Sequence, residues 1–281
     1  MKYLLYNPLS GGANNAREAA EAFTVVETDA TRLVNVTEIH SYKDFLEMLE
    51  PNDSIYVFGG DGTLSRFVNE AGDDISNHPI YYYPCGTGND FASDVLKSSA
   101  HEPFPIDQYI TELPIATVNG ESRKFINGVG FGVDGYCCEV GDILRKQGKS
   151  VNYVSIAISG VLGNFKPRGA VVTVDGIRMD FKRVWIAPTM FGSRYGGGMI
   201  PTPDQRRSAE EKRVSIMVFH GCGRLKTLMI LPSIFKGTHV KHKRNVTVIS
   251  GKEVSVKFDA PTALQIDGET ITNITEYSVR I

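Results

Sequence analysis

Short apolar runs alternate with stretches of helical spacing through the first hundred residues. Tyr3–Tyr6 reads as a strand running into a Gly-rich turn at Ser10-Gly11-Gly12, and the Ala- and Glu-rich stretch Asn14–Phe23 predicts a helix. Leu33–Ile39 predicts a strand, and Ser41 caps a helix that reaches Leu49. Ile55–Phe58 is a fully apolar strand closed by Gly59-Gly60, and Thr63–Ala71 returns to helical spacing. Ile80–Tyr83 is a further strand ended by Pro84, and Asn89–Lys97 is a helix with Asn89 as its cap. Strands alternating with helices predict a mostly parallel sheet covered on both faces. Ligands of such sheets sit at the carboxyl ends of the strands. Here those ends are Asn7–Gly12, Gly59–Thr63 and Pro84–Asp90, all rich in Gly and small polar residues.

Beyond about residue 115 the pattern turns to strands. Ala116–Val118, Phe125–Val129, Ala170–Val174, Arg178–Ala187, Val214–Phe219, Val246–Ile249, Glu253–Phe258 and Ala263–Ile266 are the predicted ones. Glu139–Gly160 is the main helical exception. A length of 281 residues suits two modest domains.

Composition adds an electrical asymmetry. The formal net charge is −2, but residues 1–140 hold 8 Lys and Arg against 21 Asp and Glu, whereas residues 141–250 hold 19 against 6. The basic stretch suits an anionic partner: nucleic acid, anionic lipid or a phosphorylated substrate. It lacks a recognisable RNA or DNA module, so nucleic acid is not expected. Four Cys without C-x-x-C spacing read as reduced thiols of a cytosolic protein. The N-terminus reads as a strand rather than a signal peptide, and the apolar stretches 154–163 and 228–235 are far shorter than the roughly 20 residues a spanning helix needs.

Four motifs carry candidate chemistry. Gly59-Gly60-Asp61-Gly62-Thr63 leads from a strand into a helix; its glycines let backbone amides approach an anion, and the helix start adds positive charge. Asp61 there makes sense through Mg²⁺, water or a substrate hydroxyl. Pro84-Cys85-Gly86-Thr87-Gly88-Asn89-Asp90-Phe91-Ala92 again leads from strand to helix, and Asn7-Pro8-Leu9-Ser10-Gly11-Gly12 follows the first strand. Together the three loops line one nucleotide site. In the fourth, Asp267-Gly268-Glu269 offers two carboxylates for a metal or a hydroxyl proton. The plain alternatives are an ordinary tight turn at Gly59–Thr63 and an Asp-Gly hairpin at Asp267. Gly148-Lys149-Ser150 is no P-loop, because Ile143 stands where its first Gly belongs; His239 and His242 lie in a basic stretch that reads as solvated or lipid-facing.

In this order the motifs resemble the diacylglycerol kinase catalytic domain family, whose relatives include sphingosine and ceramide kinases. The resemblance covers essentially the whole chain. Asn127-Gly128-x-Gly130-x-Gly132-x-Asp134 and Gly196-Gly197-Gly198 look like further family landmarks. The resemblance implies a three-layer α/β nucleotide-binding domain over residues 1–115 and a β-sandwich over 116–265, with an ATP cleft between them. It also implies that 266–281 returns to the first domain. By it, Gly59, Gly60, Asp61, Gly62 and Thr63 hold ATP phosphates, and Asn7, Ser10, Gly86, Thr87, Asn89 and Asp90 complete the nucleotide site. Asp61 and Asp90 support a Mg²⁺–water network, with Asp61 the carboxylate toward the Mg²⁺ that arrives with ATP. Asp267 or Glu269 deprotonates a lipid hydroxyl.

Two departures from the family pattern stand out. Pro114 occupies the place of a family Asp, with Asp107 or Glu112 as substitutes, and Glu210-Glu211-Lys212 replaces an Asp-Gly at a structural Mg²⁺ site, which is therefore not expected. The implied activity is ATP-dependent phosphorylation of diacylglycerol or a related glycerolipid. The implied setting is cytoplasmic, with peripheral association at the inner face of the membrane. Residues 141–250 would meet anionic lipid through Arg206, Arg207, Lys241, Lys243 and Arg244. Alternatives are a kinase of NAD or a sugar phosphate, and an inactive lipid- or nucleotide-binding regulator. Phosphatidylglycerol, a sphingoid base and a polyprenol stay open as acceptors, and so does a homodimer.

Overall fold

The apolar runs of residues 1–84 all become strands of one sheet. The computed structural model describes residues 1–10, 16–96 and 102–281, so Gly11, Gly12, Asn14 and Lys97 of the expected elements lie outside the described residues. The chain divides into two units, Met1–Leu113 and Pro114–Ile281.

The first unit runs β1 (Lys2–Tyr6), α1 (Ala16–Val26), β2 (Thr31–Asn35), α2 (Tyr42–Glu47), β3 (Ser54–Gly59), α3 (Asp61–Glu70), β4 (Ile80–Pro84), α4 (Asp90–Leu96), β5 (Phe104–Pro105) and α5 (Asp107–Ile110). The strand order is β2-β1-β3-β4-β5, parallel except for β5. Period-two alternation sends Leu4, Tyr56 and Phe58 to one face, where they bury Ala16 and Ala20 of α1. The opposite face packs Tyr3 on Phe45 of α2 and Tyr82 on Phe91 of α4. Helices thus cover both faces, as expected. The chain leaves β1 in one direction and returns past it to β3, so the strand order reverses between those two strands.

Several boundaries differ from the sequence reading. β2 stops at Asn35 because its side chain accepts from the Thr37 amide and starts a 3-10 turn at Val36–Glu38. α3 begins at Asp61, two residues before the expected Thr63, with Gly60 as its cap. Asn89 does not cap α4; its φ is +50° and its side chain turns back to the Gly86 peptide.

The second unit contains β6 (Ile115–Val118), β7 (Glu121–Lys124), β8 (Gly128–Gly132), α6 (Val133–Lys146), α7 (Tyr153–Ser159), β9 (Arg168–Val174), β10 (Ile177–Val184), β11 (Ile186–Met190), β12 (Val214–Phe219), α8 (Arg224–Ile230), β13 (Val246–Gly251), β14 (Glu253–Ile266) and β15 (Glu269–Arg280). Its ten strands follow the order β13-β12-β11-β8-β14-β15-β6-β7, with β10-β9 joining at β14. The first half of β14 pairs with β9 and the second with β8, and register shifts between Lys257 and Leu264 mark the bend. One long strand therefore serves both layers of a sandwich-like antiparallel fold.

The domain boundaries change accordingly. The second unit begins at Pro114, not 116, and residues 266–281 are no separate segment returning to the first domain. They form β15, whose backbone is paired with β14 and β6. The two apolar runs 253–258 and 263–266 are one strand, and Arg178–Ala187 is two. Trp185 separates that pair: it is buried, its amide donates to Phe219 O and its ring N–H to Cys222 O. Helix starts six residues earlier than Glu139, at Val133.

α6 lies close on β14 because residue 135 is glycine. A Cβ there would sit 2.2 Å from the Ala263 carbonyl oxygen. Gly135→Ala is expected to destabilise the chain by about 1–3 kcal/mol through overpacking against backbone. Urea denaturation of the full chain checks this, and wild-type stability would refute it.

Candidate active site

Three loops at the carboxyl ends of β1, β3 and β4 meet at the point where the strand order reverses. The Asn7 amide donates to Phe58 O at 3.1 Å, and its side-chain oxygen accepts from Leu9 N at 2.9 Å, which folds the loop back. Its Nδ2 donates to Thr63 Oγ1 at 2.8 Å, and Ser10 Oγ lies 3.3 Å from the same hydroxyl. Thr63 is seated under Gly59, where a Cβ would fall 2.6 Å from the Thr63 Cβ. Gly60 and Gly86 bring their backbones together: a Cβ on Gly86 would lie 2.7 Å from the Gly60 Cα. Cys85 N donates to Gly59 O at 2.8 Å, so β3 and β4 end in register.

Asp61 ties this arrangement together. From the first turn of α3 its two carboxylate oxygens accept from the amides of Asp90 and Phe91, each at 2.9 Å. It thereby satisfies orphan amides at the start of α4 and places negative charge at two helix N-termini. Asn89 closes a ring on Gly86, accepting from its N and donating to its O at 2.8 Å each. Gly62 and Thr87 are exposed, and Asp90 is buried. All eleven expected nucleotide-site residues fall in this one cluster of loops.

In the second unit Asp267 and Gly268 form the tight turn from β14 to β15, with φ of +48° and +88°. The Asp267 carboxylate accepts three amides: Ile126 at 2.7 Å, Asn127 at 2.8 Å and Gly128 at 3.1 Å. These bonds explain why β8 starts at Gly128 and not at Phe125. Glu269 stands outside, paired with Arg123 at 2.6 Å. Behind the clamp Arg207 is buried and donates to Ile126 O and Asn127 Oδ1, so it is not a surface lipid contact. His239 is likewise buried, its Nε2 2.8 Å from Pro201 O, and is no part of a solvated or lipid-facing patch.

Asp134 is a buried carboxyl of this unit. Burial pushes its carboxyl up to about 6, against a smaller lowering by the Gly135 amide and by the hydroxyl of Tyr195, which donates to Oδ2 at 3.2 Å. Gln265 faces it closely enough to favour the charge but outside hydrogen-bonding geometry; its Oε1 accepts from Gly268 N at 2.9 Å. Asp134 Oδ1 and Gln265 Nε2 are buried without a partner. The glycine-rich spacing flagged Asn127 and Asp134, and the basic stretch flagged Arg207 for a surface role it does not have, whereas no local signal pointed to Tyr195 or Gln265.

The diacylglycerol kinase catalytic domain family model matches residues 2–120, and that of the YegS C-terminal NAD kinase beta sandwich-like domain matches residues 127–279. The chain belongs to this diacylglycerol kinase family. A Mycobacterium tuberculosis diacylglycerol kinase is 25% identical over 249 residues, covering 84% of this chain and 79% of that protein. The crystal structure of a diacylglycerol kinase from Bacillus anthracis covers 99% of this chain and 93% of its own, with a TM-score of 0.59 at 18% identity. That likeness concerns the fold.

Asp107 accepts from the Ile80 amide at 3.0 Å. Lys212 donates to Arg207 O at 2.7 Å, and Glu211 pairs with Arg213 and Lys252. Kinases of this family imply ATP. The loops fit its phosphates: the Gly60–Gly86 approach leaves no side chain there, and Asn7, Ser10 and Thr63 gather hydroxyl and amide groups beside it. Among the described residues no group of three His, Cys, Asp or Glu could hold a metal ion by itself.

Two predictions follow from this geometry. Gly86→Ala should push the two loops apart and weaken ATP binding by at least about ten-fold, given backbone-to-backbone overpacking of about 1–3 kcal/mol; unchanged affinity in nucleotide titration would refute it. Asp134 ionises near 3.8 when exposed but near about 6 in the fold. The folded chain therefore binds the extra proton between those values. That contribution, roughly 3 kcal/mol from the gap, is fully present below the lower value and lost as pH rises through the upper. Asp134→Asn should raise Tm relative to wild type more at neutral pH than at pH below the lower value. Equal Tm differences at both would refute it.

Proposed function

We propose that this chain transfers the γ-phosphoryl group of ATP to the hydroxyl of a membrane glycerolipid, with diacylglycerol the leading acceptor. The observation that carries the reading is the loop cluster in which Asp61 locks the Gly60–Gly86 approach beside Asn7, Ser10 and Thr63. Phosphoryl transfer asks a protein chiefly for positioning and charge stabilisation. The amides at Gly59–Thr63 and the first turn of α3 meet the phosphates. Thr63, oriented by Asn7 and Ser10, faces the same region, and Gly86, Thr87 and Asn89 border it.

Mg²⁺ is proposed to come with ATP and to be held toward Asp61 through water, since each carboxylate oxygen can accept beyond its amide bond. Bound there it would neutralise phosphate charge. Asp267 is proposed to take the acceptor's proton. Its three amide bonds fix the carboxylate's direction, and a loose transition state puts little demand on base strength. Glu269, at the same turn and paired to Arg123, takes a supporting role. Among the described residues no helix is long and apolar enough to cross a membrane. The proposed setting is peripheral, at the inner face of the membrane.

Asp61→Asn and Asp267→Asn should each lower turnover by about 10²–10⁴-fold, the range for loss of a positioned proton-transfer or electrostatic group. Each also loses an amide cap worth about 1 kcal/mol, so circular dichroism and a melting curve accompany the assay. The assay offers ATP with diacylglycerol, phosphatidylglycerol, a sphingoid base, a polyprenol and NAD, and identifies products by mass. Phosphorylation of NAD alone, or wild-type turnover in both folded variants, would overturn the reading.

A further inference from the structure

Two short helical segments of the second unit turn apolar side chains outward. α7 and the π turn after it, Gly160–Asn164, bury Ile156, Val161 and Phe165 in the core. Val154, Ile158 and Leu162, spaced four apart on the opposite side, are 58%, 44% and 56% exposed. α8 repeats the arrangement: Thr227 and Ile230 are buried, while Leu225 and Met229 are 78% and 80% exposed. Arg224 fastens the segments together, donating to Val161 O at 2.6 Å and to Phe165 O at 3.4 Å. The two outward faces therefore adjoin. A contiguous exposed apolar face on a protein surface marks an interaction site.

The chain segments that form this face carry charge of one sign, and Asp142 of the neighbouring α6 is paired with Arg145, which also meets the Tyr153 hydroxyl. No Asp or Glu occurs in residues 143–174 or 212–252, and these runs together hold 14 Lys and Arg. Lys149 and Lys166 flank the α7 segment, and Lys226 and Lys236 lie on and just after α8; all four are exposed. A protein partner of ordinary composition would leave such a rim without matched carboxylates at most positions. A bilayer bearing anionic lipid matches it throughout: apolar tips enter the boundary of headgroups and acyl chains, and lysine stems reach back to lipid phosphates.

We propose that the joined outer face of α7, the π turn and α8 docks this chain on an anionic membrane surface. It gives the lipid-kinase reading a route to its substrate and rests on that reading for its purpose. It differs from the basic contacts expected from sequence, which lie around 206–207 and 241–244.

Sedimentation of the full chain with vesicles, without ATP or diacylglycerol, tests it independently of catalysis. Phosphatidylcholine vesicles with and without phosphatidylglycerol are compared at low and high salt. Wild type should bind the anionic vesicles and be released by salt. The Leu225→Ser/Met229→Ser chain should lose at least about ten-fold in affinity, and Lys226→Gln/Lys236→Gln about five-fold per lysine. Phosphorylation of a monomeric short-chain diacylglycerol should be unchanged in both. Wild-type vesicle binding by both variants, or equal salt-independent binding to neutral vesicles, would overturn the proposal. So would conversion of a wild-type dimer to monomer in the Ser variant, which would make the face a contact between copies. A parallel loss on the monomeric substrate would place these residues in the acceptor site instead.

Discussion

Backbone amides at the starts of helices need acceptors, and in this chain an aspartate from a different loop supplies them. Asp61 reaches from the first turn of α3 to the amides of Asp90 and Phe91. That carboxylate joins the Cys85 N–Gly59 O bond in fixing the second Gly-rich loop against the first, where Gly60 and Gly86 come close. The fully buried Tyr82 adds its hydroxyl to Gly59 O at 3.0 Å from beneath. The phosphate-binding surface is thus a consequence of hydrogen-bond satisfaction at element ends.

The second unit repeats the device with different elements. Asp267 takes three amides from the loop before β8, and Arg207 takes that loop's carbonyl and the Asn127 side chain from behind. The turn between the two longest strands is thereby fastened to the glycine-rich strand β8. Gln265 continues the link, joining the Gly268 amide to the buried surroundings of Asp134. A carboxyl that burial pushes up to about 6 lies two residues past β8, on the first turn of α6, so the same short stretch of chain serves both carboxyls.

Charge divides with the units. Residues 1–113 hold 6 Lys and Arg against 18 Asp and Glu, and residues 114–281 hold 24 against 14. The acidic unit is the one proposed to bind an anionic nucleotide, which requires its amides, hydroxyls and a cation to do the local work. The basic unit has charge to spare for a lipid surface, and five of its exposed apolar side chains, Val154, Ile158, Leu162, Leu225 and Met229, stand on two segments that carry no carboxylate.

Residues 1–96 were largely legible because their information is local. Apolar period-two runs marked β1, β3 and β4, and glycines at the strand ends marked the loops that gather Asn7, Asp61, Gly86 and Asn89. The second unit was less so. The exposed and half-buried residues 259–262 interrupt the apolar pattern at the bend, so 253–258 and 263–266 read as separate strands although they are one, and nothing local marks 266–281 as part of the same sheet. The pairing of β15 with β14 and β6 is a matter of long-range register, which spacing does not encode. The sequence by itself determined which residue types stand at the strand ends and hence the kind of chemistry available. Only the tertiary structure decided what those residues do to one another: that Asp61 holds α4, that Asn89 turns back on Gly86, that Arg207 and His239 are buried. The reason is that hydrogen bonds to backbone amides join residues 29, 30 and about 140 positions apart, and no local pattern records which distant amide a carboxylate will meet.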